Sequence, residues 1–329
     1  MAVYRNVEQA FLAELHAVVD FGDPVEVRGE RTRELRARLI ELSDIRSRYV
    51  MLPHRNNNVF ASIAESMWVI AGRNDLSFLS AYLERAVDFS DDGLTWRAGY
   101  GPRLRNWNGV DQLAEIVKIL REEPLSRRAV ASIYDPDRDF VESRDIPCNN
   151  WLHFLMRDGR LNLHVAARST DIWWGFSGIN AFEWTLLLEV MARWLRCAPG
   201  RLVFFSSSLH LYERHFDRAS RLLASQPNRA TSGEAEQPQF DTDWEDAPAV
   251  WDEWMRLEVG IRSGQDLSTL DCNLTDPLLL AYIRMIDLYW SAQRGVESGV
   301  LDEKLAALGD GRLAAAAREY LERPQQLQH

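Results

Sequence analysis

The chain has 329 residues, 46% hydrophobic and 26% charged, a composition that excludes a disordered chain and leaves room for one large core or two domains. A formal net charge of −11 argues against an extended nucleic-acid interface, which needs a basic face, yet a few converging arginines can still hold the terminal phosphate of a mononucleotide. No stretch approaches the roughly 18 uninterrupted apolar residues of a membrane helix, the N-terminal MAVYRNVEQAFLAELH carries no basic-then-apolar leader pattern, and Cys148, Cys197 and Cys272 show no CxxC spacing. Reduced thiols, a cytoplasmic location, no membrane and no nucleic-acid partner are therefore expected.

In chain order, Asn6 to Val19 places Val7, Phe11, Leu12, Leu15 and Val18 at helical spacing and predicts an amphipathic helix on the core. Phe60 to Ala71 and Asp111 to Arg121 read the same way, and Arg128 to Tyr134 is a short strand candidate. Leu152, Phe154 and Met156 alternate, Asp158-Gly159 supplies a tight turn, and Leu161, Leu163 and Val165 alternate again, which predicts a hairpin. That hairpin would bring Cys148 to Arg168. Asn180 to Cys197 carries Phe182, Leu186, Leu187, Val190, Met191 and Trp194 on one helical stripe, and Arg201 to Ser207 is a strand candidate. Ala224 to Ala247 is polar and rich in turn residues, as a mobile linker or surface loop would be. Val250 to Val259, Leu278 to Trp290 and Leu301 to Leu321 look helical. The expected organisation is an α/β core over residues 1–223, a polar linker over 224–248, and a helical segment over 249–329 packed on the core.

The chemistry concentrates at Cys148, in Asp145-Ile146-Pro147-Cys148-Asn149-Asn150. Arg168-Ser169-Thr170-Asp171 follows twenty residues later, and His210-Leu211-Tyr212 beyond it. A guanidinium beside a thiol favours the nucleophilic thiolate. Upstream stand Glu30-Arg31-Thr32, Ala64-Glu65-Ser66-Met67-Trp68, Tyr100-Gly101, Asp111-Gln112 and Ser126-Arg127-Arg128. Each string alone is weak, but the ordered set resembles the thymidylate synthase family over roughly residues 28 to 215.

The resemblance implies a mixed sheet packed with helices, plus the helical C-terminal part, and a homodimer with shared active sites. It implies that the Cys148 thiolate adds to C6 of a pyrimidine nucleotide, so that C5 becomes an enolate-like carbon able to capture the one-carbon unit of 5,10-methylene-tetrahydrofolate. Glu65 would organise proton transfers through ordered water, Tyr100 would assist proton removal at C5, and Asp171 would hold the pterin. Arg31 and Arg168 would bind phosphate from one subunit, with Ser169 in the same substrate-binding set, and Arg127 and Arg128 would arrive from the other. His210 and Tyr212 would contact the sugar hydroxyl, and Asn149 and Asn180 the base.

Departures from the family pattern point to one branch. Asp88-Phe89-Ser90-Asp91-Asp92 stands where a tryptophan-bearing segment covers the one-carbon site, and the chain reads Arg323-Pro324-Gln325-Gln326-Leu327-Gln328-His329 where the family has an apolar tail. A polar lid admits water, so the expected product is hydroxymethyl, not methyl. The chain accordingly resembles the pyrimidine nucleotide 5-hydroxymethylases, in particular the cytidylate hydroxymethylases of mildiomycin-type nucleoside antibiotic pathways. Asn149 replaces the family histidine, and Ser177-Gly178-Ile179-Asn180 needs one inserted residue to align Asn180. An amide can serve cytosine or uracil according to its flip, so Asn180 alone leaves CMP and dUMP open, and the sugar is open as well. Thymidylate synthesis from dUMP and a non-catalytic nucleotide-binding homologue are the rival readings. A hydrolase elbow at Gly175-Phe176-Ser177-Gly178 fails at Ile179, and His210 with His215 lacks zinc-helix spacing.

Overall fold

The computed structural model describes residues 2–52, 54–225 and 237–323. The expected polar tail at 324–329, and 226–236 of the expected linker, lie outside the described residues.

One eight-stranded mixed sheet organises these residues. Its strands are β1 (Ala2–Tyr4), β2 (Asp23–Val27), β3 (Glu30–Leu42), β4 (Val130–Ser132), β5 (Asn149–Arg157), β6 (Arg160–Ala167), β7 (Thr170–Asp171) and β8 (Ala198–Tyr212). The order across the sheet is β1-β3-β8-β6-β5-β4, with β2 paired to β3 and β7 to β8. β3 lies antiparallel to the central β8, whereas β6 and β7 run parallel to it.

The predicted hairpin is β5 and β6. Its turn residues, Asp158 and Gly159, both have positive φ, 53° and 69°, which is the pair of conformations a two-residue primed turn requires. Leu152, Phe154, Leu161, Leu163 and Val165 face one way and are fully buried, while Trp151 and Phe205 on the opposite face remain 38% and 36% exposed. The sheet thus has one face covered by helices and one open.

On the covered side lie α1 (Val7–Phe21), capped by the Asn6 side chain, α2 (Val59–Ile70) and α7 (Ala181–Trp194). Between α2 and α7 come α3 (Leu76–Leu79), α4 (Tyr100–Arg105), α5 (Gln112–Glu122) and α6 (Pro136–Asp139). Asp111 caps α5, and the Gln112 amide clamps the sheet edge by donating to the Ser132 carbonyl at 2.8 Å and accepting from the Ser132 N–H at 2.8 Å. After β8 follow α8 (Phe216–Ala224), α9 (Ala247–Arg262), α10 (Pro277–Gln293), α11 (Ser298–Ala306) and α12 (Arg312–Leu321). These last helices share the core: Phe60 of α2 meets Tyr289 and Tyr320 at ring distances of 5.2 and 5.0 Å, and Tyr82 donates to Glu258 at 2.6 Å.

Four expectations need correction. Leu301 to Leu321 is two helices, because Gly309, at φ 75°, and Gly311 interrupt the helical run. The Arg201–Ser207 strand extends from Ala198 to Tyr212, carried past its polar serines by pairing with β3 on one side and β6 and β7 on the other. The Arg128–Tyr134 strand shrinks to Val130–Ser132. The helix expected from Asn180 begins earlier, at Ile172, as a π-helix over Ile172–Asn180 in which the Ala181 N–H reaches back to the Phe176 carbonyl. A wide π-turn holds one residue more than an α-turn, the same one-residue excess that the expected alignment of Asn180 calls for.

Candidate active site

The nucleophile candidate sits where an irregular loop enters the sheet. The Arg168 N–H, just past β6, donates to the Cys148 carbonyl at 2.9 Å, so the hairpin closes at its open end and brings the two residues together. The Arg168 guanidinium folds back over the loop: Nε donates to the Pro147 carbonyl at 2.8 Å and Nη2 to the Ile146 carbonyl at 2.9 Å, with Nη2 3.8 Å from the Cys148 Sγ. The sequence argument for a favoured thiolate is met only in part. Burial pushes the Cys148 thiol above its ordinary pKa, Arg168 pulls it down, and Asp145 and Asp171 push it up again, leaving the net shift upward.

Asn149 opens β5 and is completely buried. Its Nδ2 donates to the Tyr100 hydroxyl at 2.7 Å, and in this orientation Oδ1 has no hydrogen-bond partner among the described residues. Tyr100 starts α4 with its ring 5.4 Å from Trp184. The following glycine is obligatory, since a Cβ on Gly101 would stand 2.3 Å from the Arg73 carbonyl oxygen. Burial, then the proximity of Cys148 and Glu183, raises the Tyr100 pKa, so its hydroxyl stays protonated.

Glu65 projects from α2 at 7% exposure with Oε2 unpartnered, and burial lifts its pKa to about 8. Sequence reasoning missed the second acid of this region, Glu183. It lies in the first turn of α7 at 1% exposure, with neither carboxyl oxygen in a well-formed hydrogen bond among the described residues. Burial and the nearby Glu65 raise its pKa, and the Asn180 side chain opposes them. An acid within an otherwise apolar helical run, Ala181-Phe182-Glu183-Trp184, was the available signal.

Asp171 ends β7 opposite His210 and caps the π-helix, accepting from the Trp173 and Trp174 N–H groups at 2.9 and 3.3 Å. Burial raises its pKa, and those N–H groups and His210 counter the rise. Ser169 joins β6 to β7. His210 and Tyr212 stand edge to face at 5.0 Å on β8, and Arg214 lies over the Tyr212 ring at 3.9 Å. Arg31 lies near the start of β3 opposite Glu26 of β2 and makes an exposed ion pair with Glu213 at 3.5 Å, next to Tyr212.

Arg127 and Arg128 do not join this group within the chain. They precede β4, which pairs with β5 at Val130–His153, so they stand about 20 Å along the strand from Cys148 at ~3.4 Å per residue. Both are exposed, and Arg128 pairs with Glu123 at 3.0 Å. Ser177 of the rejected elbow is buried and structural: its hydroxyl donates to the Trp173 carbonyl at 2.9 Å and accepts from Arg55 at 3.2 Å. The Asp88–Asp92 segment docks near the nucleophile loop through Asp91, which accepts from the Ser143 hydroxyl at 2.6 Å. Trp96 behind it is turned inward against Trp68 at 5.9 Å.

The assembled groups offer a thiol beside a cation, a protonated phenol and two buried carboxyls, the set needed for covalent addition to an electron-poor ring with proton traffic at the neighbouring carbon. A family model described as thymidylate synthase matches residues 9–248. Among curated relatives, a deoxyuridylate hydroxymethyltransferase of Bacillus phage SP01 is 38% identical over 216 residues, covering 62% of this chain and 56% of that protein. Proteins of the same description from Pseudomonas phage M6 and Delftia phage PhiW-14 are 35% identical over 193 residues (58% and 55% covered) and 31% identical over 233 residues (67% and 64% covered). The chain therefore spans less than two thirds of the length of these relatives. On the match across residues 9–248, the chain belongs to the thymidylate synthase family.

Proposed function

We propose that this chain catalyses folate-dependent 5-hydroxymethylation of a pyrimidine nucleoside 5′-monophosphate, with CMP as the substrate. The observation that carries the reading is the Cys148–Arg168 pair at 3.8 Å, joined through Asn149 to the Tyr100 hydroxyl. Cys148 passes its proton to water as its sulfur bonds to C6, which leaves C5 able to take up the one-carbon unit. Tyr100, which keeps its own proton and accepts a hydrogen bond from Asn149, relays the C5 proton to water, and the sulfur leaves C6 when the product forms. Glu65, poised near neutrality, exchanges protons with ordered water. Phosphate binding falls to Arg31 and Arg168, with Ser169 beside it, and the sugar hydroxyl to His210 and Tyr212.

The folate site fits the residues present. Asp171 is half-buried, each of its oxygens keeps a lone pair beyond the helix-capping bond, and the half-exposed Trp174 ring beside it offers a flat apolar surface for a pterin. Bound 5,10-methylene-tetrahydrofolate would supply carbon at the formaldehyde level. Water, admitted by the polar Asp88–Asp92 segment, would complete the hydroxymethyl group.

The preference for CMP is supported by the acceptors left without partners among the described residues around the nucleophile, namely Asn149 Oδ1, Glu65 Oε2 and one oxygen of Glu183. The cytosine amino group supplies two donors where uracil offers a carbonyl. Asn180 would read the same edge. A role in nucleoside antibiotic biosynthesis is the matching pathway expectation. The second reading, deoxyuridylate, is favoured by the names of the phage relatives.

A homodimer is part of the proposal. Arg127 and Arg128, remote from Cys148 within one chain, would reach the site of a second copy, and the open sheet face with Trp151 and Phe205 is the surface that would bury itself. The C-terminal helices would act as a buttress for α2 and its Glu65. Mass analysis of the products from CMP, dCMP, UMP and dUMP tests the reading. Hydroxymethyl-CMP without accumulation of dihydrofolate is expected, whereas a methyl product with dihydrofolate would favour thymidylate synthesis and no product would favour a binding homologue.

A further inference from the structure

Glu183 and Glu189 lie on the same helix, are equally buried, and have opposite fates. Glu189 is fully engaged: Arg46 donates to it at 3.2 Å, Arg48 pairs with its other oxygen, and the Phe240 N–H donates at 3.3 Å. Among the described residues Glu183 makes no well-formed hydrogen bond at either oxygen, although the Asn180 side chain lies close enough to favour its charged form. A carboxyl withdrawn from water without a partner is costly, and folded proteins keep one where something else completes it.

Its surroundings indicate what that is. Asn180 lies one turn earlier, Glu65 on α2 keeps an unpartnered oxygen of its own, and the Tyr100 ring packs 5.4 Å from Trp184, the residue after Glu183, while its hydroxyl accepts from Asn149, the residue after Cys148, at 2.7 Å. Glu183 therefore borders the same space as the nucleophile. Burial and Glu65 keep its proton on, so it offers one O–H donor and one carbonyl acceptor.

We propose that Glu183 contacts the substrate directly, its carboxyl donating O–H to N3 of cytosine and accepting from the C4 amino group. The two bonds are mutually complementary and leave no charge in the pocket. This assignment rests on the functional reading above and adds a base-reading residue to it.

The test compares calorimetric Kd values for CMP and for the pyrimidin-2-one ribonucleoside 5′-monophosphate, which lacks the C4 amino group. The unaltered chain should prefer CMP by at least about tenfold. Glu183→Leu should reduce that preference at least about threefold. Glu183→Gln, whose amide still presents one donor and one acceptor to this edge, should keep it within about twofold. Because the preference is a ratio within each variant, partial loss of folding cancels. An unchanged ratio in Glu183→Leu overturns the assignment, and so does a ratio lost equally in Glu183→Gln. A chain that binds no pyrimidine nucleotide defeats the functional reading and this proposal with it, whereas CMP binding with an unchanged leucine ratio defeats the proposal alone.

Discussion

At Cys148 and Glu65, burial sets the proton affinity before any substrate does. The thiol is held above its ordinary pKa despite Arg168, so the protein stores a neutral nucleophile whose thiolate forms when the surroundings change. Glu65, lifted to about 8, ionises at the upper edge of physiological pH. The sign of its effect on stability follows. Below the ordinary carboxylate pKa the group is protonated both folded and unfolded, and as pH rises toward 8 the unfolded chain gains charge that the folded chain resists. The native state therefore loses up to about 5 kcal/mol across that interval. Glu65→Gln should remove this loss, so chemical denaturation of the variant should show a flatter stability profile between about pH 4.5 and 8. Parallel profiles for the two proteins would place Glu65 in contact with water or a cation. Cys148, Arg168 and Tyr100 were legible because the ordered set of short motifs that holds them resembles a known family. Glu183 was less legible, because an acid within an apolar helical run can equally be a paired core carboxylate, as Glu189 is, and its lack of a partner is something only packing reveals.

The hairpin was readable at the scale of elements because two codes agree in it: alternation fixes which side chains face the core, and Asp158-Gly159 fixes the turn. The π-helix at Ile172–Asn180 was not readable, since a change from four- to five-residue hydrogen bonding leaves the apolar pattern of Ile172, Trp173 and Phe176 nearly intact. It is held from outside by Arg55, which donates to the Ser177 hydroxyl and the Trp173 carbonyl and lies over the Trp173 ring at 5.1 Å. Ser177→Ala should lower stability by about 1 to 2 kcal/mol in denaturant titration while leaving proton exchange at C5 of the nucleotide in place. Loss of exchange without loss of stability would return Ser177 to the chemistry. The far end of the long strand was misjudged for a related reason: the polar run Ser206-Ser207-Ser208 reads as the end of a strand at Ser207, but the ladder continues to Tyr212 and Ser206 is buried within it, its hydroxyl bonded to Thr170 at 2.9 Å.

Across the whole molecule, the C-terminal helices and the sheet share one hydrophobic core, so a polar stretch such as 224–248 gives little warning that packing resumes within it. Phe240 and Trp244 already sit against Trp194, at 6.4 and 4.8 Å. Among the described residues no helix is long and apolar enough to cross a membrane. If a second copy supplies Arg127, mixing inactive Cys148→Ala and Arg127→Ala chains should restore activity in about a quarter of sites, because half of randomly assorted dimers carry one unaltered site. No recovery after subunit exchange would contradict a shared site. The central claim is a sulfur–carbon bond between Cys148 and the pyrimidine, and release of tritium from [5-³H]CMP in the presence of 5,10-methylene-tetrahydrofolate tests it most directly. The account predicts release by the unaltered chain and none by Cys148→Ala, with CMP binding by the variant kept within about tenfold. Release at an unchanged rate from Cys148→Ala would contradict it.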